Sequence, residues 1–314
     1  CAPGCSPGDR ALTRGPSTAG TTTATRRLVY LGTPAIAVPP LRALVDAGHR
    51  VQLVVTRPDR RRGRGSGTSP SPVKAEAERL GLPVAHDLDA LYDAGADLGV
   101  VVAYGHLVPV PVLERLPMVN LHFSLLPRWR GAAPLERAIL AGDEVTGVCL
   151  MGLEAELDTG PLYAREELVI APGEHLGPLR DRLVVAGTSL LLDVLAGALP
   201  APEAQRGEPT YADKLGAADL RLTWTLPATE LLRVVRLDRA WTTWRGRRLL
   251  VLDAEMVPAP DGAASPGTLE GAVVSAGDGA LELVRVQPEG RSPMGAIDWL
   301  RGARPVTGER LGGS

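Results

Sequence analysis

The stretch RLVYLGTPAIAVPPLRALVDAGHRVQLVV, residues 27–55, decides the fold class. Residues 28–31 are a short, wholly apolar run stopped by Gly32, the pattern of a buried strand. Pro34 stands where a helix can start, and Ile36, Leu41 and Leu44 carry an apolar stripe as far as Gly48. Residues 51–55 form a second apolar strand, so the chain runs strand, helix, strand. Similar runs return at 99–103 and 118–123, with an amphipathic helix predicted over 73–80 after a long loop at 57–71. Strands that are apolar throughout and alternate with helices belong to a parallel sheet covered on both faces. The reading is α/β.

Working outward, the pattern predicts a helix over 135–140, ended near Gly142, and paired strands at 145–152 and 162–170 around the turn Asp158-Thr159-Gly160. A long helix is expected over 179–199, and the segment 200–210, with Gln205, Gly207 and Pro209, reads as a linker. Beyond it, short β-type runs at 249–255, 271–275 and 281–286 are separated by Gly, Pro and Asp turns. That spacing suits a small antiparallel β domain able to close as a barrel. Residues 1–26 are rich in Gly, Pro, Ser and Thr without an apolar stretch, and are expected to be a disordered or spurious leader. The expected division is therefore leader 1–26, first domain 27–199, linker 200–210 and second domain 211–314.

At 314 residues, 45% apolar and 22% charged, the chain is globular in composition and longer than one core usually needs. A net charge of −2 excludes a general polyanion binder, so any nucleic-acid contact must come from a local patch. Such a patch exists between Thr56 and Lys74. Arg57, Arg60, Arg61, Arg62, Arg64 and Lys74 face one acid, Asp59, and Gly63, Gly65 and Gly67 interleave with them. A loop of that charge is suited to a phosphate backbone. No apolar run reaches ~18 residues, so no membrane-spanning helix is expected. Cys1, Cys5 and Cys149 cannot build a disulfide framework and fit a reducing, cytoplasmic setting. The histidines share no HxxxH or HxH spacing, and no metal site is expected.

Common nucleotide and hydrolase signatures are missing. The first strand ends in GTPAIA rather than GxGxxG, and neither GxxxxGK[ST] nor GxSxG occurs. Reactive groups in an open α/β sheet belong just beyond the carboxyl ends of strands. Asn120 and His122 sit there, at i and i+2 on one strand, so both side chains point to the same side of the sheet. An unpaired polar group on a doubly buried strand costs about 1–3 kcal/mol, which calls for a reason. Asp158 lies in a turn from which a return strand could bring it close. An amide can bind a developing oxyanion, and an imidazole can donate to it or take a proton near neutral pH. The carboxylate can fix the imidazole tautomer or accept a proton itself.

The run NLHFSLLPRWRGAAPLERAI at 120–139, with LDTG at 157–160, closely resembles the methionyl-tRNA formyltransferases of the formyltetrahydrofolate-dependent superfamily. Further carriers are LVYLGTPAIAVPPL, the GRG loop, VVVAYGHLVP, PTYADKL, GDGALELVRVQPEGRSPM and the terminal GARPVTGERL, so the likeness covers almost all of 27–312. The resemblance implies a Rossmann-like parallel-sheet formyltransferase domain followed by a small OB-like β-barrel. It implies transfer of the formyl group of 10-formyltetrahydrofolate to the α-amine of methionyl initiator tRNA, for translation initiation. By position the catalytic residues would be Asn120, His122 and Asp158, and the folate-binding segment Ser124, Leu125, Leu126 and Pro127. Arg60, Arg61, Arg62 and Arg64 would contact tRNA, with Arg64 of GRG central. Neither a metal nor a membrane nor an obligate protein partner is implied, and a monomer is expected. Arg57 and Glu136 stand where that family usually has glutamine, and Glu136 is expected to place a negative charge near the folate-side loop. The competing reading is a formyltransferase for a small amine such as an amino sugar, which would not require the GRG loop.

Overall fold

The computed structural model describes residues 25–61, 68–259, 264–306 and 308–313. β1 (Arg27–Gly32) leads through a 3-10 turn into α1 (Val38–Asp46) and then β2 (Arg50–Val55). Gly32 is required by close approach: a Cβ there would lie 2.9 Å from the Ala37 side chain and 3.0 Å from the Val102 carbonyl oxygen. The loop expected over 57–71 contains a short antiparallel ladder, β3 (Arg60–Arg61) with β4 (Thr68–Ser69). α2 (Pro72–Arg79), capped by the Ser71 hydroxyl, leads to β5 (Val84–Ala85), a short edge strand absent from the sequence reading. Then come β6 (Leu98–Val102), α3 (Val110–Leu113) and β7 (Met118–His122).

After β7 the chain forms β8 (Arg130–Gly131), α4 (Pro134–Ala141), β9 (Val145–Gly152), β10 (Leu162–Val169) and α5 (Leu176–Leu195). The main sheet has the order β10-β9-β7-β6-β1-β2-β5. β7 through β5 run parallel, and β9 and β10 add an antiparallel edge. Strand order reverses between β1 and β6, which makes the carboxyl ends of these strands the topological switch point. The two faces are covered by different elements. Leu28, Tyr30, Val100, Val119 and Leu121 pack against the helices α1, α2, α4 and α5. Val29, Leu31, Val101 and Met118 pack under Tyr104, Val108 and α3.

The segment 200–210 is tied down rather than free. Glu203 pairs with Leu162, Thr210 with Pro127 and Arg130, and β11 (Tyr211–Ala212) runs parallel to β8. The second unit is not purely β: it contains α6 (Ala228–Val235) and, near its end, α7 (Ala296–Ala303). Between them lie β12 (Ala240–Trp244), β13 (Arg247–Val257), β14 (Leu269–Glu270), β15 (Val273–Ser275), β16 (Ala280–Pro288) and β17 (Met294–Gly295). The antiparallel order β12-β13-β16-β15-β14 leaves two edges. The chain's last residues join them: Arg310 bridges Thr268 beside β14, while the Gly312 amide donates to the Thr243 carbonyl of β12 at 2.8 Å. Leu311 between them is buried with Trp224, Leu249 and Val286, so the sheet closes around its own apolar core. Among the described residues no helix is long and apolar enough to cross a membrane.

One buried carboxylate stitches α1 to α2. Glu76 accepts from Arg42 at 2.7 Å and from Arg79 at 2.6 Å, and these two guanidiniums hold its carboxyl well below the usual range. A depressed carboxylate contributes its full stabilisation above its unfolded pKa, about 4.3, and the contribution is lost progressively as pH falls from there toward the depressed folded-state value. Glu76→Gln is therefore expected to lower Tm by about 2–4 °C at pH 7, with the gap to the parent narrowing at pH 3. Melting curves at the two pH values check this; a gap that widens in acid contradicts it.

Candidate active site

A cavity of about 570 Å³ opens at the carboxyl ends of β1, β6 and β7, at the switch point. The odd positions of β7 face the helical core, so Asn120 and His122 point to the other side. Asn120 is half-buried and His122 buried, and both line the cavity with Asp158. His122 Nε2 lies 2.9 Å from the Trp129 carbonyl oxygen. A carbonyl can only accept, so this nitrogen carries the proton and donates it. Nδ1 is left facing Asp158, whose Oδ2 lies 3.6 Å away. The tautomer is thus set by a backbone oxygen rather than by Asp158, which leaves the carboxylate free to accept a proton.

Asp158 is held in its own way. Its φ of 52° is left-handed, unusual outside glycine, and its Oδ2 accepts from the Gly131 amide at 2.8 Å. Gln205 donates to both the Asp158 and Gly160 carbonyls at 2.8 Å, and Arg130 holds the Gln205 oxygen at 2.6 Å. Gln205 gave no signal in the sequence beyond membership of a turn-rich linker. Gly131, at φ 124°, leaves no room for a side chain, since a Cβ would meet the Ala212 carbonyl oxygen at 2.8 Å.

Ser124, Leu125, Leu126 and Pro127 lie outside the cavity wall. The Ser124 hydroxyl is fully buried and donates to the Arg128 carbonyl at 2.6 Å, while Leu126 packs on Cys149 and Met151. The segment shapes the loop that delivers the Trp129 carbonyl. On the α3 side the cavity is walled by Val101, Tyr104, Val108, Met151 and Leu153, and the chain bends there at Ala103 (φ 47°) and Gly105 (φ 82°). An apolar slot edged by turning backbone groups suits a flat, hydrogen-bonding heterocycle such as a pterin. His106 lines the same wall, with its ring 5.8 Å from the Tyr104 ring. Glu136 faces the cavity from α4, on the helical side of the sheet and not beside the Ala103–Gly105 bends. Cys149 is buried beside His122 on β9, and burial pushes its thiol up to about 11, so it offers no nucleophile near neutral pH.

The basic loop starts and ends next to this cavity. Thr56 and Ser71 hydroxyls meet at 2.7 Å at its base, Lys74 pairs with Asp59 at 2.8 Å, and the Val73 amide reaches the Thr33 carbonyl. Arg60 and Arg61 belong to the ladder, whereas Arg62 and Arg64 lie outside the described residues. No group of His, Cys, Asp and Glu able to hold a metal occurs among the described residues.

A switch-point cavity with a convergent amide, imidazole and carboxylate marks a formyltransferase, and the family model "Formyl transferase" matches residues 26–195, with "Formyl transferase, C-terminal domain" matching 214–304. A methionyl-tRNA formyltransferase of Jannaschia sp. is 43% identical over 91% of this chain and 99% of its own length. One of Methylococcus capsulatus is 42% identical over 91% and 99%. The chain belongs to the methionyl-tRNA formyltransferase family. In fold it is similar to HypX from Aquifex aeolicus in complex with tetrahydrofolic acid, at TM-score 0.64 and 16% identity over 91% of this chain and 49% of that one. It is also similar to an N-formyltransferase from Helicobacter canadensis, at TM-score 0.64 and 16% identity over 84% and 100%.

If Gln205 anchors the left-handed turn at Asp158, Gln205→Ala should lower kcat roughly ten- to a hundredfold with an unchanged circular-dichroism spectrum. Gln205→Glu, which keeps an acceptor but loses both donated bonds, should resemble the alanine variant. Full activity in either would remove Gln205 from the site's support.

Proposed function

We propose that the chain transfers the formyl group of 10-formyltetrahydrofolate to the α-amine of methionyl initiator tRNA, with Asn120, His122 and Asp158 as the catalytic residues. The observation that carries this is the convergence of those three side chains on one cavity at the switch point. The nucleophile is an amine with a reference pKa of about 7.7–8.0, so a useful neutral fraction exists near pH 7 and no activated serine or thiol is needed.

The amine nitrogen bonds to the formyl carbon, and the carbonyl oxygen becomes an oxyanion. The Asn120 amide donates to that oxygen, joined by His122 Nδ1–H once the ring is protonated. Asp158 takes the proton that the amine gives up, directly or through His122. The carbon–nitrogen bond to the folate then breaks, and that nitrogen takes up a proton as it leaves. The α3-side wall at 103–108 receives the pterin, and Ser124, Leu125, Leu126 and Pro127 support folate binding from behind by holding the 124–131 loop. Arg60, Arg61, Arg62 and Arg64 bind the tRNA backbone, and the second domain, 211–314, adds to that surface. The protein works as a monomer in the cytoplasm.

The test is formylation of charged initiator tRNA by a chain starting at Arg27. Asn120→Ala and His122→Ala are each expected to lose about 10²–10³ in kcat. Neutralising Arg60, Arg61, Arg62 and Arg64 should weaken tRNA binding and flatten its dependence on salt. Formylation of an amino sugar nucleotide instead of tRNA would favour the small-amine reading, and intact turnover in His122→Ala would remove the imidazole from the mechanism.

A further inference from the structure

The cavity has a second wall, and it is charged. Ile36, Leu135, Glu136 and Arg180 line it from the face covered by α1, α4 and α5, opposite the face of Asn120, His122 and Tyr104. The pocket therefore wraps around the sheet's carboxyl edge. Glu136 Oε1 and an Arg180 terminal nitrogen approach to only 3.9 Å, and their side chains are 19% and 39% exposed. Among the described residues that loose approach is their one polar contact. Arg180 thus carries a fork of N–H donors that no described residue fills, at the wall of the reaction chamber.

We propose that Arg180 is a positioning residue that binds a backbone phosphate at the single-stranded acceptor end of the tRNA. This rests on the formyl-transfer reading above. One observation favours the acceptor over the folate, whose glutamyl carboxylates offer the other anion. The basic loop starts at Arg57 beside Gly105, on the slot side, but leaves along the helical face: its last turn runs into α2, whose Val73 and Ala77 pack in the same core as α1 and α5. A nucleic acid that follows the loop toward α2 thus meets the chamber on the Arg180 side. Guanidinium suits phosphate because two parallel N–H groups match two oxygens.

The experiment compares the parent chain, Arg180→Gln and Arg180→Lys by steady-state formylation and by binding of charged initiator tRNA over a salt series. Arg180→Gln is expected to raise the KM for tRNA about tenfold while the KM for the formyl donor stays put, and to reduce the log–log salt slope by roughly 0.7, the release expected for one single-strand phosphate. Arg180→Lys should restore the slope and part of the KM. An unchanged slope in Arg180→Gln, or a rise confined to the donor's KM, overturns the proposal in favour of no anion or of the folate carboxylate. Failure of the parent chain to formylate tRNA would instead sink the functional reading itself.

Discussion

The hydrogen bond from His122 to the Trp129 carbonyl, 2.9 Å long, determines which ring nitrogen faces the cavity. It depends in turn on a loop that could not hold itself. Trp129 has a left-handed φ of 63°, and its position is fixed from three directions. Its amide donates to the Thr210 hydroxyl at 2.9 Å, its indole to Asp143 at 2.8 Å, and Arg128 stacks over its ring at 4.4 Å. One turn back, Ser124 clamps Arg128, and one turn on, the Gly131 amide grips Asp158. A single loop therefore orients the imidazole through a carbonyl and the carboxylate through an amide. Because both anchors are backbone groups, their relative placement is stiff, which is what a preorganised charge-stabilising site requires.

Topology supplies the rest. A parallel sheet whose strand order reverses must leave a gap above the reversal, since the loops leaving β1 and β6 turn to opposite faces. Here that gap runs over the sheet rim, with Val101, Tyr104 and Val108 lining it on one face and Ile36, Leu135, Glu136 and Arg180 on the other. A reaction with two substrates benefits from such a shape. On the proposed function, each would approach from its own face and meet over Asn120 and His122 without competing for volume.

Much of this was written in the chain. Apolar runs and glycine stops located β1, β2, β6 and β7 within a residue or two, and the i, i+2 spacing placed Asn120 and His122 on one face. What escaped was set by contacts between distant segments. The tautomer comes from a backbone carbonyl, which has no residue type to read. Gln205 lies in a stretch whose composition says only that it turns, and its value comes from where Arg130 and Asp158 happen to be. Helices α6 and α7 were missed because Gly, Pro and short β runs dominate their surroundings. The Ser-Leu-Leu-Pro element stood out as a motif, and its Ser124 and Leu126 side chains are buried and hold the loop, which sequence alone does not show.

The barrel's contribution to the site follows from where it docks. α5 begins at Leu176, and its first amide is taken at 2.8 Å by the Arg236 carbonyl of the second unit. Arg236 in return donates to the Glu174 carbonyl at 2.8 Å, and His175 at the helix cap meets Asp238 at 2.7 Å. Leu140 of α4 packs into both apolar cores. The second unit thus grips the start of α5 and the end of α4, two helices on one side of the cavity, rather than hanging from a tether. Arg180 lies one turn beyond that grip, so any shift of the barrel would move the charged wall relative to Asn120 and His122. The docking of the second unit and the charged wall share the first turn of α5, and that is a physical reason for both units to be carried on one chain.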